Sequence, residues 1–264
     1  MRLVGLLGGF LLMLALLVAN ASYASDACHA TSGPGTAAVV ELYTSEGCSS
    51  CPPADRELSM LSREASPGSA VIPLGLHVTY WDSLGWQDVM AQKVFDARQS
   101  ELVAAGHGTF VYTPEFFANG EEIRSWHGTL PEAIRRINTT PAPVEIALTT
   151  RSDANNTVEL EARVTPRDTR ALPADGAQLY FAVTEDGLVS HVLRGENGGT
   201  TLSHDSVVRL WVGPVSLGSQ GGIVRRDIAV PPQWDRARLH FVALVQNGRD
   251  QVLQAVRAGT CGAS

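Results

Sequence analysis

Val39-Val-Glu-Leu-Tyr-Thr-Ser-Glu-Gly-Cys48-Ser-Ser-Cys51-Pro-Pro53 is the stretch whose reading decides the fold. Ala38 to Tyr43 is an apolar, β-favouring run and reads as a buried strand. A glycine turn follows, then two cysteines two residues apart. Pro52 and Pro53 suit a first helical turn, where a missing N–H costs nothing. Strand, turn and C-x-x-C at a helix start is the usual setting for reversible dithiol chemistry. The unpaired N–H groups and dipole of the helix start favour a thiolate. They draw a cysteine pKa from about 8.5 toward the ~3.5–7.5 range of reactive sites. Cys48, at the exposed turn, is then the attacking sulfur, and Cys51 resolves the mixed disulfide.

Other uses of the motif stay open. It can be half a zinc site, although a second C-x-x-C is absent, or a purely structural disulfide. His77, at the end of the next candidate strand, would complete an S₂N set for Cu(I); a hydrogen-bonded histidine is the plainer reading.

Downstream of the motif, Leu58, Leu61 and Ala65 recur at helical spacing until Pro67-Gly68. Ala70 to His77 reads as a strand, with Pro73 an awkward resident for a central one. Val78 to Asp88 is a loop rich in aromatics, in which Trp81, Asp82 and Trp86 either line a substrate groove or pack as a cap. A helix is expected over Asp88 to Ala105, carrying Met90, Val94, Ala97 and Leu102. Tyr112 to Gly120 predicts a short strand and a hairpin turn at Asn119-Gly120, with another strand through Ile123. Thr129-Leu-Pro-Glu132 has the form of a capping box ahead of a last helix. This alternation makes residues 25–138 one α/β domain, and Thr139 to Pro143 reads as a linker.

Beyond the linker the period changes to two. Val158, Leu160, Ala162 and Val164 alternate with Glu159, Glu161 and Arg163, as in a half-buried strand. Further runs lie near 144–150, 177–184, 188–193, 207–212, 223–230, 238–246 and 251–257. About eight short strands predict an all-β antiparallel sandwich over 144–264. His191 and His204, flanking Gly195 to Gly199, read as part of a sheet-edge loop.

The chain has 264 residues and a formal net charge of −7, which gives no basic footprint for nucleic acid. Residues 1–24 have a positive start at Arg2, an apolar run from Leu3 to Val18 and small-x-small sites at Ala19 to Ala21 and Ser22 to Ala24. This reads as a cleavable signal peptide, the alternative being an uncleaved anchor, for which an apolar run of ~16–17 residues is short. The mature protein is therefore expected in the periplasm or secreted, with no membrane segment after cleavage. In an oxidising compartment the two remaining cysteines, Cys28 and Cys261, near the mature ends, are expected to pair.

The strand, Cys48-Ser-Ser-Cys51 and helix, followed by Thr113-Pro114 and Phe116-Phe117-Ala-Asn-Gly120, resemble the thioredoxin superfamily. More narrowly, Val39 to Asp55, His77-Val-Thr-Tyr-Trp-Asp-Ser-Leu-Gly-Trp86, Val111-Tyr-Thr-Pro114 and Arg194-Gly-Glu-Asn197 through Leu202-x-His204 resemble a family of secreted bacterial proteins of unknown function, DUF1223. The resemblance implies an α/β thioredoxin-like domain ahead of the sandwich, and a cis Pro114 facing the cysteines. Thr113, Pro114, Trp81 and Tyr112 become the candidate substrate-binding residues. Two departures stand out. The superfamily's buried strand acid falls on Leu42 here, leaving Glu41 on the opposite face and better read as salt-paired. Pro52 pushes Cys51 toward an N-cap position. Glu46, beside the motif, would raise a thiolate pKa.

The expected function is an exported thiol–disulfide oxidoreductase using Cys48 and Cys51 on a protein or small-thiol substrate, with an unidentified redox partner and neither cofactor nor metal. The alternatives are a non-catalytic binding module whose disulfide staples the turn, and a copper-handling protein.

Overall fold

A computed structural model describes residues 27–260 apart from 66, 67, 69, 154, 169–171, 174 and 175. The expected signal segment and Cys261 lie outside the described residues. In chain order the first half holds β1 (Ala27–Thr31), β2 (Ala38–Thr44), α1 (Pro52–Glu64), β3 (Val71–His77), α2 (Lys93–Ala105), β4 (Glu115–Ala118), β5 (Glu121–Glu122) and α3 (Trp126–Asn138). The second half holds β6 (Val144–Ser152), β7 (Thr157–Pro166), β8 (Ala177–Glu185), β9 (Leu188–His191), β10 (Thr201–His204), β11 (Val207–Leu217), β12 (Gly222–Ala229), β13 (Leu239–Gln246) and β14 (Val252–Gly259). The fold is mixed α/β, dominated by sheet.

Every residue of β2 is buried, because both faces of its sheet are covered. Side chains alternate along a strand, so Val40 and Leu42 meet Ala54 and Leu58 of α1 and Leu130 and Ala133 of α3. Val39 and Tyr43 meet Phe95 and Leu102 of α2 on the other face. β2 runs parallel to β3 and antiparallel to β4, which turns at Asn119-Gly120 into β5.

The sheet does not end at β3. Its order is β14-β13-β8-β11-β3-β2-β4-β5, eight strands contributed by both halves of the chain. The join lies at Gly75, whose N–H donates to the Ser206 carbonyl at 2.8 Å and which pairs with Val207 of β11 in parallel register. Residues two apart along a strand bond toward the same side, so Pro73 faces the β11 side one step before that ladder begins. Its missing N–H therefore breaks no pairing in the register, which explains a proline in an interior strand.

The sandwich expected over 144–264 is present in a different arrangement. β1-β6-β7-β12 form one sheet, and its Ile146, Leu148, Leu160 and Ala162 pack on Phe181, Val183, Phe241 and Ala243 of the eight-stranded sheet. One face of the sandwich is thus the continuation of the α/β sheet, and its edge strand β1 comes from the N-terminal half. Nor is 139–143 a free linker: Thr36 N–H donates to Thr140 O at 2.8 Å and Ala142 N–H to Pro34 O at 2.9 Å. β9 and β10 stand apart as a two-stranded hairpin.

Two helices differ from expectation. α2 begins at Lys93, and its buried face is Phe95, Arg98, Gln99, Leu102 and Val103, with Val94 exposed. Two polar residues on the inner face blur the apolar period that the sequence offers. α3 begins at Trp126 with Ser125 as N-cap and no side-chain cap bond. Thr129 lies inside the helix, its hydroxyl donating to the Ser125 carbonyl at 3.0 Å, so no capping box forms there.

Candidate functional site

β2 delivers the chain to a tight turn at the end of the parallel strands. Cys48 N–H donates to Ser45 O at 3.1 Å, and Cys51 N–H to Cys48 O at 3.2 Å. Cys48 and Cys51 are joined as a disulfide, with α-carbons 5.4 Å apart. Cys51 is the N-cap of α1, as Pro52 predicts, but sits in the helical region at φ −77° and ψ −35°. Its carbonyl accepts from Ala54 N–H and Asp55 N–H at 2.8 and 3.1 Å. Both cysteines are 0 % exposed. The expectation of an exposed Cys48 is therefore corrected; its exposed neighbours are Ser49 and Ser50.

The residues around the turn come from four separate places. Trp81 lies 3.4 Å from where a β-carbon on Gly47 would stand, and its indole N–H donates to Thr113 Oγ1 at 2.7 Å. That bond ties the Thr113-Pro114 loop, whose peptide is cis, to the wall beside the turn. Tyr112 is half-buried and directed elsewhere, its hydroxyl donating to Glu122 at 2.7 Å. Pro114 leads into Glu115, which burial pushes up to about 7 against the hydrogen bond from Gln99.

From the second half, the loop between β9 and β10 crosses the turn. Ser49 donates to the Glu196 carboxylate from its N–H at 3.0 Å and its hydroxyl at 2.6 Å. Asn197 donates through Nδ2 to the Glu46 carbonyl and to the Cys48 carbonyl, each at 2.9 Å. Trp86 backs this loop, its Cβ 3.3 Å from where a β-carbon on Gly195 would stand, and donates its indole N–H to Glu46 Oε2 at 2.7 Å.

Beside the turn is a buried ionisable cluster. His77 Nδ1 is 2.7 Å from Asp88 Oδ2, with both side chains essentially unexposed. Burial alone would lower the His77 pKa, but the Asp88 carboxylate outweighs it and raises it. Asp88 shows the reverse balance: burial pushes up, and the His77 charge and hydrogen bonds hold it at about 2. His204 of β10 packs edge-on against His77 with ring centres 5.0 Å apart. Its Nε2 is 3.5 Å from Glu46 Oε1, and neither atom has a closer partner. Burial would raise Glu46 too, but its interactions with His204, Ser190 and Trp86 leave it lowered. Asp55, one helical turn beyond Cys51, accepts from Thr44 Oγ1 at 2.8 Å and is raised by burial.

The copper set is not assembled: among the described residues no group of three or more His, Cys, Asp or Glu side chains could hold a metal ion. Glu41 is fully engaged on the α2 face, where Arg98 donates Nε and Nη2 to its two oxygens at 2.7 Å each. Cys28 is buried in β1 and disulfide-bonded; Cys261, its expected partner, is outside the described residues. No helix among the described residues is long and apolar enough to cross a membrane.

A family model described as a protein of unknown function, DUF1223, matches residues 39–246. The chain belongs to this family. Among solved structures it is similar to protein AGR_C_4864 from Agrobacterium tumefaciens, at 21 % identity and a TM-score of 0.61, covering 88 % of this chain and 98 % of that one. It is also similar to HBP35 of Porphyromonas gingivalis, at 14 % identity and a TM-score of 0.60, covering 88 % of this chain and 79 % of that one. Likenesses at these identities speak for the fold alone. No curated protein matches the chain.

In this DUF1223 chain the sequence singled out Cys48, Cys51, Trp81 and Thr113, and the structure gathers them. It missed Glu196 and Asn197 as partners of the turn, because they lie about 150 residues away and carry no spacing rule. His204 is corrected from a sheet-edge residue to a buried one, 3 % exposed; His191 stays at the edge, bonded to Thr201 at 2.9 Å. The available signal was the Arg194-Gly-Glu-Asn197 and Leu202-x-His204 string, in a segment otherwise free of apolar period.

Proposed function

We propose that the chain is an exported thiol–disulfide oxidoreductase whose working couple is Cys48/Cys51, set in a thioredoxin-like half. The observation that carries this reading is the Cys48–Cys51 disulfide at the N-cap of α1, directly after a parallel strand. Supporting it are the order β3-β2-β4-β5, with α1 and α3 on one face and α2 on the other, and the cis Thr113-Pro114 segment tied to the turn through Trp81. In the reaction a substrate thiolate attacks one sulfur of the disulfide and displaces the other as a thiolate. A second substrate thiol then resolves the mixed disulfide. Two electrons and two protons pass to the cysteine pair, and the substrate leaves as a disulfide; the reverse sequence oxidises the pair.

The complete burial of both cysteines favours a second reading, in which the disulfide only staples the turn of a binding module. Equilibration in glutathione buffers separates the two. A potential well below about −300 mV marks a staple, whereas a higher one marks an exchanging couple. Cys51→Ser leaves Cys48 able to hold a mixed disulfide that cannot resolve, so it should trap a partner where Cys48→Ser traps none. Equal trapping by both variants would sink the assignment of Cys48 as nucleophile.

A further inference from the structure

Exchange at a disulfide needs an attacking thiolate in line with the S–S bond, so access limits the rate. Cys48 and Cys51 offer no exposed sulfur. The loop of residues 194–199 lies across the turn that carries them, bonded to Ser49 through Glu196 and to the Glu46 and Cys48 carbonyls through Asn197. The hairpin that bears this loop belongs to neither large sheet, and most of its strand residues are at least partly exposed. Segments held by a few hydrogen bonds and little apolar contact open at low cost, well short of global unfolding.

We propose that this strap is a displaceable cover, and that the Ser49 N–H and the Glu46 and Cys48 carbonyls it occupies select the thiols that reach the Cys48–Cys51 bond. The inference rests on reading that pair as an exchanging couple. On consecutive residues the strap presents an acceptor to the Ser49 N–H and a donor to the Glu46 and Cys48 carbonyls. An extended polypeptide carries the same alternation of acceptors and donors along its main chain. A cysteine-bearing polypeptide therefore regains the hydrogen bonds it displaces. A small dithiol regains none. The substrate class selected is an extended polypeptide thiol.

The test uses the oxidised mature protein with dithiothreitol, counting thiols over time by alkylation and mass. One dithiothreitol thiolate attacks the protein disulfide and releases one cysteine as a thiolate. Its second thiol then attacks the mixed disulfide and displaces the other cysteine, so the reagent leaves as its cyclic disulfide with both cysteines reduced. The E196A/N197A double variant should be reduced on the order of 10- to 100-fold faster than wild type, with E196A and N197A in between, since each lost hydrogen bond lowers the opening cost. The same substitutions lower the opening cost for a peptide too, so an extended single-cysteine peptide should be accelerated by a similar factor. It should outpace a small monothiol such as 2-mercaptoethanol by the same ratio in wild type and variants; equal rates for peptide and small monothiol overturn the selection. E196A alters an exposed side chain, so it reports even where N197A disturbs folding.

Dithiothreitol rates within twofold of wild type in E196A and in the double variant overturn the proposal. So does acceleration in Trp81→Ala without acceleration in the strap variants, which would make the Trp81 wall the cover. The glutathione potential of the same samples separates the two ideas. Faster reduction of a couple below about −300 mV keeps the cover and removes the exchange reading; unchanged rates with a higher potential do the opposite.

Discussion

Replacing Glu41 by leucine leaves a buried guanidinium without its counter-ion. Arg98 is 5 % exposed and Glu41 1 %, and the pair is bidentate with both contacts at 2.7 Å. After the substitution Arg98 keeps Gln246 Oε1 at 3.3 Å and the Trp211 ring at 4.5 Å, while the Tyr43 hydroxyl loses the acceptor it now has at 2.9 Å. Breaking one side of such a pair costs about 3–5 kcal/mol. For a chain of this size each kcal/mol moves Tm by ~2–4 °C, so Glu41→Leu should lower it by roughly 10 °C. The double variant E41L/R98M replaces charge by volume and should recover most of the loss, since apolar replacement of a buried pair is commonly neutral or better by ~1–4 kcal/mol. Urea unfolding of wild type, both single variants and the double gives the coupling directly. A Glu41→Leu cost below about 1 kcal/mol, or a double variant as unstable as the sum of the singles, refutes the reasoning. The same variant bears on the chemistry. Glu41 faces α2, whereas α1 and its N-cap cysteine lie on the other face. Glu41→Gln should therefore leave the pH profile of Cys48 alkylation in the reduced protein unchanged; a shift of a full unit would return Glu41 to the site.

Three further outcomes follow from the same geometry. The His77–Asp88 pair gives stability a pH window: the raised His77 contributes fully below about 6.5 and is lost as pH rises through its folded pKa. Asp88, held at about 2 against an ordinary 3.8, contributes above about 4 and is lost as pH falls toward 2, a limb worth ~2 kcal/mol. Asp88→Asn lacks that limb, so the wild-type-minus-variant difference of Tm should rise from pH 2 to 5, and a difference that is flat over that range would contradict it. Asp186 accepts from Ser206 N–H at 2.7 Å, His240 at 2.9 Å, Ser62 at 3.0 Å and Arg257 at 3.3 Å. Asp186→Ala should cost ~3 kcal/mol in urea unfolding by leaving the buried Arg257 unpaired, and a loss under 1 kcal/mol would mean the hub is not structural. Gly120 has φ +88°, and a β-carbon there would stand 2.6 Å from the Asp250 carbonyl; Gly120→Ala should cost more than about 1 kcal/mol, read as a lower urea midpoint.

Much of the fold was legible because it rests on local periodicity. The all-buried β2 and the alternating β7 declare themselves residue by residue, and Asn119-Gly120 announces its own turn. Continuity between the halves was not legible. In the eight-stranded sheet the join is the short contact of Gly75 with Ser206 and Val207, which leaves no periodic trace, so a change of period at 139–143 read as a domain boundary. α2 was misplaced because Arg98 and Gln99 point inward. Arg98 is buried to meet Glu41 and Gln99 to meet Glu115, at 2.6 Å, partners that a single helix does not reveal.

The centre itself was half legible for the same reason. C-x-x-C ahead of Pro52-Pro53 is a local signal and places the disulfide correctly. The strap across it comes from residues far along the chain. Glu196 and Asn197 reach Ser49 and Cys48 only because β11 joins the sheet beside β3, bringing the preceding hairpin over the end of the parallel strands. Joining the halves in one sheet and laying the strap across the turn are thus one event: a chain that folded as two independent domains would bring no such strap to Ser49 and Cys48. Amide exchange at residues 188–206 faster than in β3 and β11 would mark a hairpin that opens on its own while the joined sheet stays closed.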